Sequence, residues 1–440
     1  MEKENNYNKF IVIWFGQMIA SIGSGLTSFG LNIYVFQQTR SATACSVVVL
    51  CAFLPMVLLT PFAGILADRF NKWKLMLMGD SFSAISLIAM LLFIKLGNTS
   101  IIMICICVFI SSIFSSLMDP AYKSIVTDLL APEQFSKASG LIQLASSAKY
   151  LISPLIAGIL IKASGIETIL IIDILTFVLT LASIIYASNS IVSIKKEQSK
   201  DSSYIQDLME GWNSLVGNKG LMSLILLTTM VTFYVGFIEI LLTPMLLGVT
   251  DESTLGAITS FGSIGMLATS IIIGFRGIKK NYISTLSSAF TVMGIVIFIV
   301  GSVINVYVIG IAAFIFFAML PFANTSIDVL IRSSLERKTE GRVWGLISLI
   351  SQLGYLVAYS ISGILADHVF NPLLDENGAL ASSIGRLIGV GEGRGIGLMI
   401  IICGVSMLVT SYIIYINRNI KVLENNYLAQ KKYTDGAKRL

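Results

Sequence analysis

Twelve long apolar runs, separated by short polar connections, decide what this chain can fold into. They cover 10–38, 43–67, 75–96, 100–127, 138–162, 166–190, 219–247, 254–275, 282–301, 304–331, 342–368 and 395–417. Each is about 20 residues or more, the length an α-helix needs to cross a bilayer core of ~30 Å. Lipid offers the backbone no hydrogen-bond partner, so only helices and closed barrels cross it. A barrel strand would read as an alternating segment of about ten residues, and these runs are continuous. The expectation is an all-α membrane protein with twelve transmembrane helices. Composition agrees: 55% of the 440 residues are hydrophobic and 12% charged, about half the charge of an ordinary soluble chain. The first run is too long for the apolar core of a cleavable signal peptide.

The basic residues set the orientation. With the N-terminus inside, 24 of the 30 Lys and Arg fall in inner connections. Only Arg40, Lys95, Lys162, Arg386 and Arg394 fall outside, and Lys149 lies within a span. Cytoplasmic connections carry the excess of Lys and Arg, so both chain ends are expected in the cytoplasm of a bacterial cell, with the chain multi-pass in the plasma membrane. The net charge of +5 is then topology, not a nucleic-acid surface. Cys45, Cys51, Cys105, Cys107 and Cys403 all lie in apolar runs and read as small hydrophobes. His368 is the one histidine, which excludes a histidine-based metal cluster.

The polar stretch Ser190–Asn218 divides the chain near its middle. It gives a six-helix half over 1–190, a cytoplasmic linker over 191–218, a second six-helix half over 219–417 and a cytoplasmic tail over 418–440. Within the linker, Tyr204–Val216 has the pattern of a surface amphipathic helix. An internal repeat supports the two halves. At an offset of 205 residues, Gly140, Leu141, Ile142, Leu144, Tyr150, Gly158 and Leu160 meet Gly345, Leu346, Ile347, Leu349, Tyr355, Gly363 and Leu365. This pairs span 5 with span 11, both running inside to outside, so the repeat is parallel.

The connection between spans 2 and 3 reads Gly64-Ile-Leu-Ala-Asp68-Arg69-Phe-Asn71-Lys72-Trp-Lys74. It resembles the loop signature G-x-L-a-D-r-x-G-r-k of the major facilitator superfamily. Asn71 stands where glycine is usual, a change that a left-handed turn tolerates. The resemblance implies the major facilitator fold, with two six-helix halves around a central cavity. It also implies a cytoplasmic latch carried by Gly64, Asp68, Arg69 and Lys72, with Asp128 at the end of span 4 as the partner of Arg69. The corresponding loop of the second half, Gly274-Phe-Arg276-Gly277-Ile-Lys279-Lys280, keeps the basic residues and lacks the aspartate.

Span 5 carries Lys149-Tyr-Leu-Ile-Ser153-Pro154-Leu-Ile-Ala157-Gly158. This resembles a decayed antiporter motif of drug exporters in that superfamily, with Ser153, Pro154, Ala157 and Gly158 keeping the kink and the small packing surface. The Gly385–Gly395 outer loop, Phe370-Asn371-Pro372, and Asp119-Pro120-Ala121 with Asp128-Leu-Leu-Ala-Pro132-Glu133 are similar to the macrolide-efflux and enterobactin-exporter branch. The Gly-rich outer loop lacks the preceding strand that a phosphate-binding turn needs.

Ionisable groups inside spans are costly and mark function. Glu239 in span 7 is the candidate proton carrier, Lys149 its charge partner or a substrate contact, and Asp173 in span 6 a third candidate. Asp80, Asp119, Lys123 and Asp328 lie nearer span ends, where interfacial structure is expected. Gln17, Ser21, Ser24 and Asn32 share one face of span 1 and are expected to line the cavity. The resemblance implies a drug:H+ antiporter exporting a small hydrophobic or amphipathic substrate, with a siderophore, lipid or metabolite as alternative cargo. The chain is expected to act as a monomer in the lipid bilayer, with the proton gradient as energy source and no cofactor or metal. No G-x-x-x-x-G-K-[ST] run is present to bind ATP. A membrane enzyme would need clustered His, Cys or carboxylates, and a sensor an added soluble domain; neither pattern is expected here.

Overall fold

The computed structural model describes all residues except 1, 98–99, 132–133, 189–211, 213–214, 279–280, 336–339, 392 and 438–440. Among the described residues every regular element is a helix. The long helices are α1 (Glu2–Thr39), α2 (Ala42–Arg69), α3 (Lys72–Lys95), α4 (Ile101–Leu129), α5 (Phe135–Ser188), α6 (Lys219–Leu247), α7 (Glu252–Arg276), α8 (Tyr282–Ser302), α9 (Val306–Ser334), α10 (Glu340–Leu365), α11 (Arg394–Ile416) and α12 (Arg418–Ala437).

Among the described residues, eleven helices are long and apolar enough to cross a membrane. One of them, Lys137–Ser188, has 52 residues, about 78 Å at 1.5 Å per residue, far more than a single crossing of ~30 Å uses. The reason is Gly165. Its φ of 77° and ψ of −179° break α5 into two arms. That backbone region is open to glycine and essentially closed to other residues. The two arms are the expected spans 5 and 6, so the fold is the all-α, twelve-span arrangement.

Contacts group the chain into two compact units, Met1–Glu197 with Thr250–Ser260, and Gln198–Val249 with Phe261–Leu440. In unit 1, α1 packs along α5, α3 and α2 pack on α4, and α3 also meets α5. The α1–α5 seam follows from a heptad of glycines. Gly16 faces Ser183, Gly23 faces Thr176 and Asp173, and Gly30 faces Ile169. Seven-residue spacing keeps all three on one helix face, and small residues let helix backbones approach closely where lipid gives no hydrophobic drive. Below this seam Phe10, Ile13, Met76, Tyr122, Ile125 and Ile184 form a buried cluster.

In unit 2, α8 packs along α11, α6 along α10, and α9 along α8. Gly294 and Gly404 let α8 and α11 touch backbone to backbone. Ser287 and Thr291 on α8 share hydrogen bonds with Ser411 on α11. After α10 the chain makes a π-helical turn, Ala366–Phe370. The glycine-rich loop then closes on itself. Arg394 is buried and its Nη1 donates to the Ile388 carbonyl at 2.7 Å.

Asn71 behaves differently from expectation. It is extended (φ −65°, ψ 114°), not left-handed, and its Oδ1 accepts from the Trp73 and Lys74 amides. It therefore replaces glycine by capping α3, satisfying two of the helix's unpaired amides. The expected surface helix over Tyr204–Val216 lies largely outside the described residues.

Candidate functional site

Unit 1 holds a polar seam inside the membrane span. Asp173, on the second arm of α5, is 1% exposed. The Thr27 hydroxyl on α1 donates to its Oδ2 at 2.5 Å, and Thr176 Oγ1, one turn away, lies 3.4 Å from its Oδ1. Lys149, on the first arm, is within electrostatic reach of Asp173, and its stem lies against Gly25 of α1. A buried carboxylate is tolerated when donors and a cation surround it. Lys149 and Asp173 thus share one site on the α1–α5 seam.

The decayed antiporter motif lines the same arm. Ser153, Pro154, Ala157 and Gly158 are all buried, on one face by their spacing. Ser153 Oγ donates to the Ile22 carbonyl at 2.9 Å. The motif's other neighbour is the head of α7, where Gly158 meets the Glu252 carbonyl and Gly256 meets the Pro154 carbonyl.

That head is clasped by charge. Asp251 caps α7 by accepting from the Thr254 amide at 2.9 Å, and its other oxygen takes the Lys162 ammonium. Gln37 of α1 donates to Glu252 beside it. The Lys162 hydrogen bond first, then the Thr254 cap, hold the Asp251 carboxyl well below the usual carboxylate range.

At the opposite end of the unit, Lys72 Nζ meets Asp128 Oδ2 at 2.5 Å, joining the start of α3 to the end of α4. Lys72, and not Arg69, is thus the residue seen paired with Asp128; the side chains of Asp68 and Arg69 lie outside those described. Asp119 and Lys123 form an exposed pair at 2.7 Å on α4, as interfacial residues do. Asp80 does not follow that expectation. It is 0% exposed, because α3 turns it into the packed helices and not toward the interface. Gln17, Ser21, Ser24 and Asn32 are half-buried. By helical spacing Gln17, Ser21 and Ser24 lie off the glycine face that packs on α5.

In unit 2, Glu239 is exposed at the level of the α6–α10 seam. The Tyr359 hydroxyl on α10 donates to its Oε2 at 2.7 Å. Tyr355, one turn earlier, lies tilted against the Tyr359 ring with centroids 5.7 Å apart, and Gly236 of α6 packs on both rings.

Thr27 and Tyr359 escape a reading of isolated charges, because each is the partner of a charge and not the charge itself; the Asp251–Lys162 clasp escapes it because its two charges lie 89 residues apart in sequence. The signal was periodic. Thr27 falls four residues after Gly23 on the packing face of α1, and Tyr355 and Tyr359 are four apart on α10.

Twelve apolar spans in two helical units, with ionisable groups and hydroxyl partners inside them, define a multi-pass membrane transporter. The model of the Major Facilitator Superfamily matches residues 13–370, and the chain belongs to that family. It is similar to macrolide efflux protein A of Streptococcus pyogenes, 28% identical over 383 residues, covering 84% of this chain and 92% of that protein. It is also similar to macrolide efflux protein A of Enterococcus faecalis, 27% identical over 320 residues, covering 69% and 95%. The fold resembles the crystal structure of nucleoside transporter NupG, with a TM-score of 0.69 at 12% identity over 93% of this chain and 100% of that one. A bacterial homologue of the iron transporter ferroportin, in an inward-facing state, gives a TM-score of 0.69 at 13% identity over 93% and 98%. The family consists in general of carriers and not enzymes.

Proposed function

We propose that the chain exports hydrophobic or amphipathic organic compounds, macrolide-like antibiotics first among them, in exchange for protons by alternating access. The observation that carries the substrate class is the 28% identity to a macrolide efflux protein over 383 residues. Proton coupling is supported by two carboxyl groups held inside spans by hydroxyl donors, Glu239 by Tyr359 and Asp173 by Thr27. Intramembrane carboxyls of this kind mark ion and proton relays. In this reading Glu239 takes up and releases the proton. The Lys149–Asp173 pair opens and closes as substrate competes for its charges.

The proton gradient supplies the energy, with no cofactor. The protein works as a monomer in the plasma membrane with both chain ends cytoplasmic, as the distribution of Lys and Arg favours. The loop around Asp68, Arg69, Lys72 and Asp128 then acts as the cytoplasmic latch. The test is a panel of drugs in cells with and without this protein. Lower accumulation of macrolides, restored by a protonophore, is the expected result. Equal accumulation of every compound sinks the drug reading, and export that ignores the protonophore sinks the coupling.

A further inference from the structure

We infer that Asp80 is a second proton-binding site, a carboxyl that holds its proton inside unit 1 in the described conformation. The inference rests on the proton-coupled reading for its purpose, but not for its existence.

Asp80 is 0% exposed, and neither Oδ1 nor Oδ2 has a hydrogen-bond partner among the described protein groups. The other buried polar side chains on its helix face are matched. Ser83 Oγ bonds the Ser111 carbonyl at 3.1 Å and Ser115 Oγ at 3.0 Å, and Ser86 Oγ donates to the Cys107 carbonyl at 2.5 Å. The neighbouring Gly79 packs against Met118 and the Phe114 carbonyl, so α3 and α4 leave little room beside the carboxyl. On α4 the Tyr122 hydroxyl is likewise buried without a hydrogen-bond partner. Tyr122 belongs to the cluster that holds Met76, one turn before Asp80.

The surrounding charges do not rescue an ionised Asp80. On α4, Lys123 pairs with Asp119, and Asp128 takes Lys72 from the head of α3. On α5, Lys149 lies with Asp173 and Lys162 with Asp251, leaving Glu167 half-buried and Lys137 exposed. Lys74 and Lys95 of α3 are exposed at its ends. On α2, the side chains of Asp68 and Arg69 are outside those described. An ion stripped of water with no partner is far less stable than its neutral form, so the group neutralises. The carboxyl sits eight residues, just over two turns, inside the helix that begins at Lys72.

The experiment is infrared difference spectroscopy of the purified full-length protein at pH 7, wild type against Asp80→Asn. The expected result is one carboxylic C=O band per chain present in the wild type and absent in the variant. Asp80→Glu is expected to move that band without removing it, which separates protonation from a folding defect. If Asp80→Asn does not fold, the wild type against Asp80→Glu reads the same oscillator. A carboxylate band at pH 7, as buried water or a bound cation would give, overturns the inference. So does a protonated band that neither variant changes. A band at Asp80 with export that ignores the proton gradient sinks the proposed function and leaves this site standing. Proton-driven export with no such band sinks this site alone.

Discussion

Tyr359 on α10 donates its hydroxyl to Glu239 Oε2 on α6 at 2.7 Å, joining a ring that is 5% exposed to a carboxyl on the open side of the helix. A carboxyl that is reachable and yet held by a fixed donor suits a group that must load and unload. Glu239→Gln keeps an acceptor for Tyr359 and removes the charge. Proton-driven efflux is expected to fall at least tenfold, about 1.4 kcal/mol, with membrane insertion intact. Tyr359→Phe removes the donor to a charged group, a loss of about 1–3 kcal/mol, and efflux is expected to drop about tenfold. Unchanged efflux rates and pH profile in both variants would remove Glu239 from the mechanism.

The latch makes a different kind of prediction, in which stability and transport separate. Lys72 and Asp128 are 21% and 53% exposed in their side chains, and ion pairs as open as this contribute at most about 1 kcal/mol. Asp128→Asn is therefore expected to leave Tm in detergent within a degree or two while efflux declines. The double exchange of Lys72→Asp with Asp128→Lys is expected to restore part of it. Asp68→Asn is expected to impair efflux without affecting insertion. Efflux at the wild-type rate in Asp68→Asn and Asp128→Asn alike would remove the latch.

For the clasp at the head of α7, the sign of the pH effect is fixed by Asp251. Its carboxyl titrates below its ordinary value because Lys162 and the Thr254 amide stabilise the charged form. The contribution is complete above the ordinary carboxylate range. It is lost only as pH falls through the depressed value of the folded state. Between pH 5 and 8 the difference in Tm between wild type and Lys162→Ala should hold constant. In 1 M salt, where exposed charges are screened within about 3 Å, it should shrink. A difference that grows or vanishes between pH 5 and 8 would contradict this assignment.

Two glycines provide a contrast within one unit. A Cβ at Gly23 would stand 2.7 Å from Asp173 Oδ1 and closer still to Thr176 Oγ1, whereas a Cβ at Gly140 would meet nothing within 4 Å. Gly23→Ala is expected to cost about 1–3 kcal/mol through overpacking and to disturb the Thr27–Asp173 bond. Gly140→Ala should be neutral or slightly stabilising, since alanine suits a helix better. Thermal melts of the two variants in the same detergent decide it.

Span number could be read from apolar run length, because lipid dictates both the length and the helical form, whereas the parallel repeat was read from residues matched at an offset of 205. The fold family was readable at Gly64–Lys74 because a short turn between two spans tolerates few residue types. Asn71 shows the limit of that reading. Its presence in the turn was legible, but whether it bends left-handed or caps α3 depends on the sign of φ, here −65°, which its residue type leaves open. Asp80 shows another. Its place near a span end suggested the interface, but burial is set by which way α3 rolls against α4, and that is decided by Gly79 and Ser83 meeting Phe114 and Ser111. Lys149 was legible as a costly charge inside a span. That it lies by Asp173 is a consequence of the α5 reversal, which brings residues 24 apart in sequence onto the α1 seam.

The bend at Gly165 also bears on how this protein is made. With a single residue between its arms, α5 gives the translocon no loop to hold back while the first arm waits in the channel. The two arms are expected to enter the bilayer together as a hairpin. A tag or protease site inserted at this tip would divide an obligate pair, so topology reporters belong at other connections of the chain.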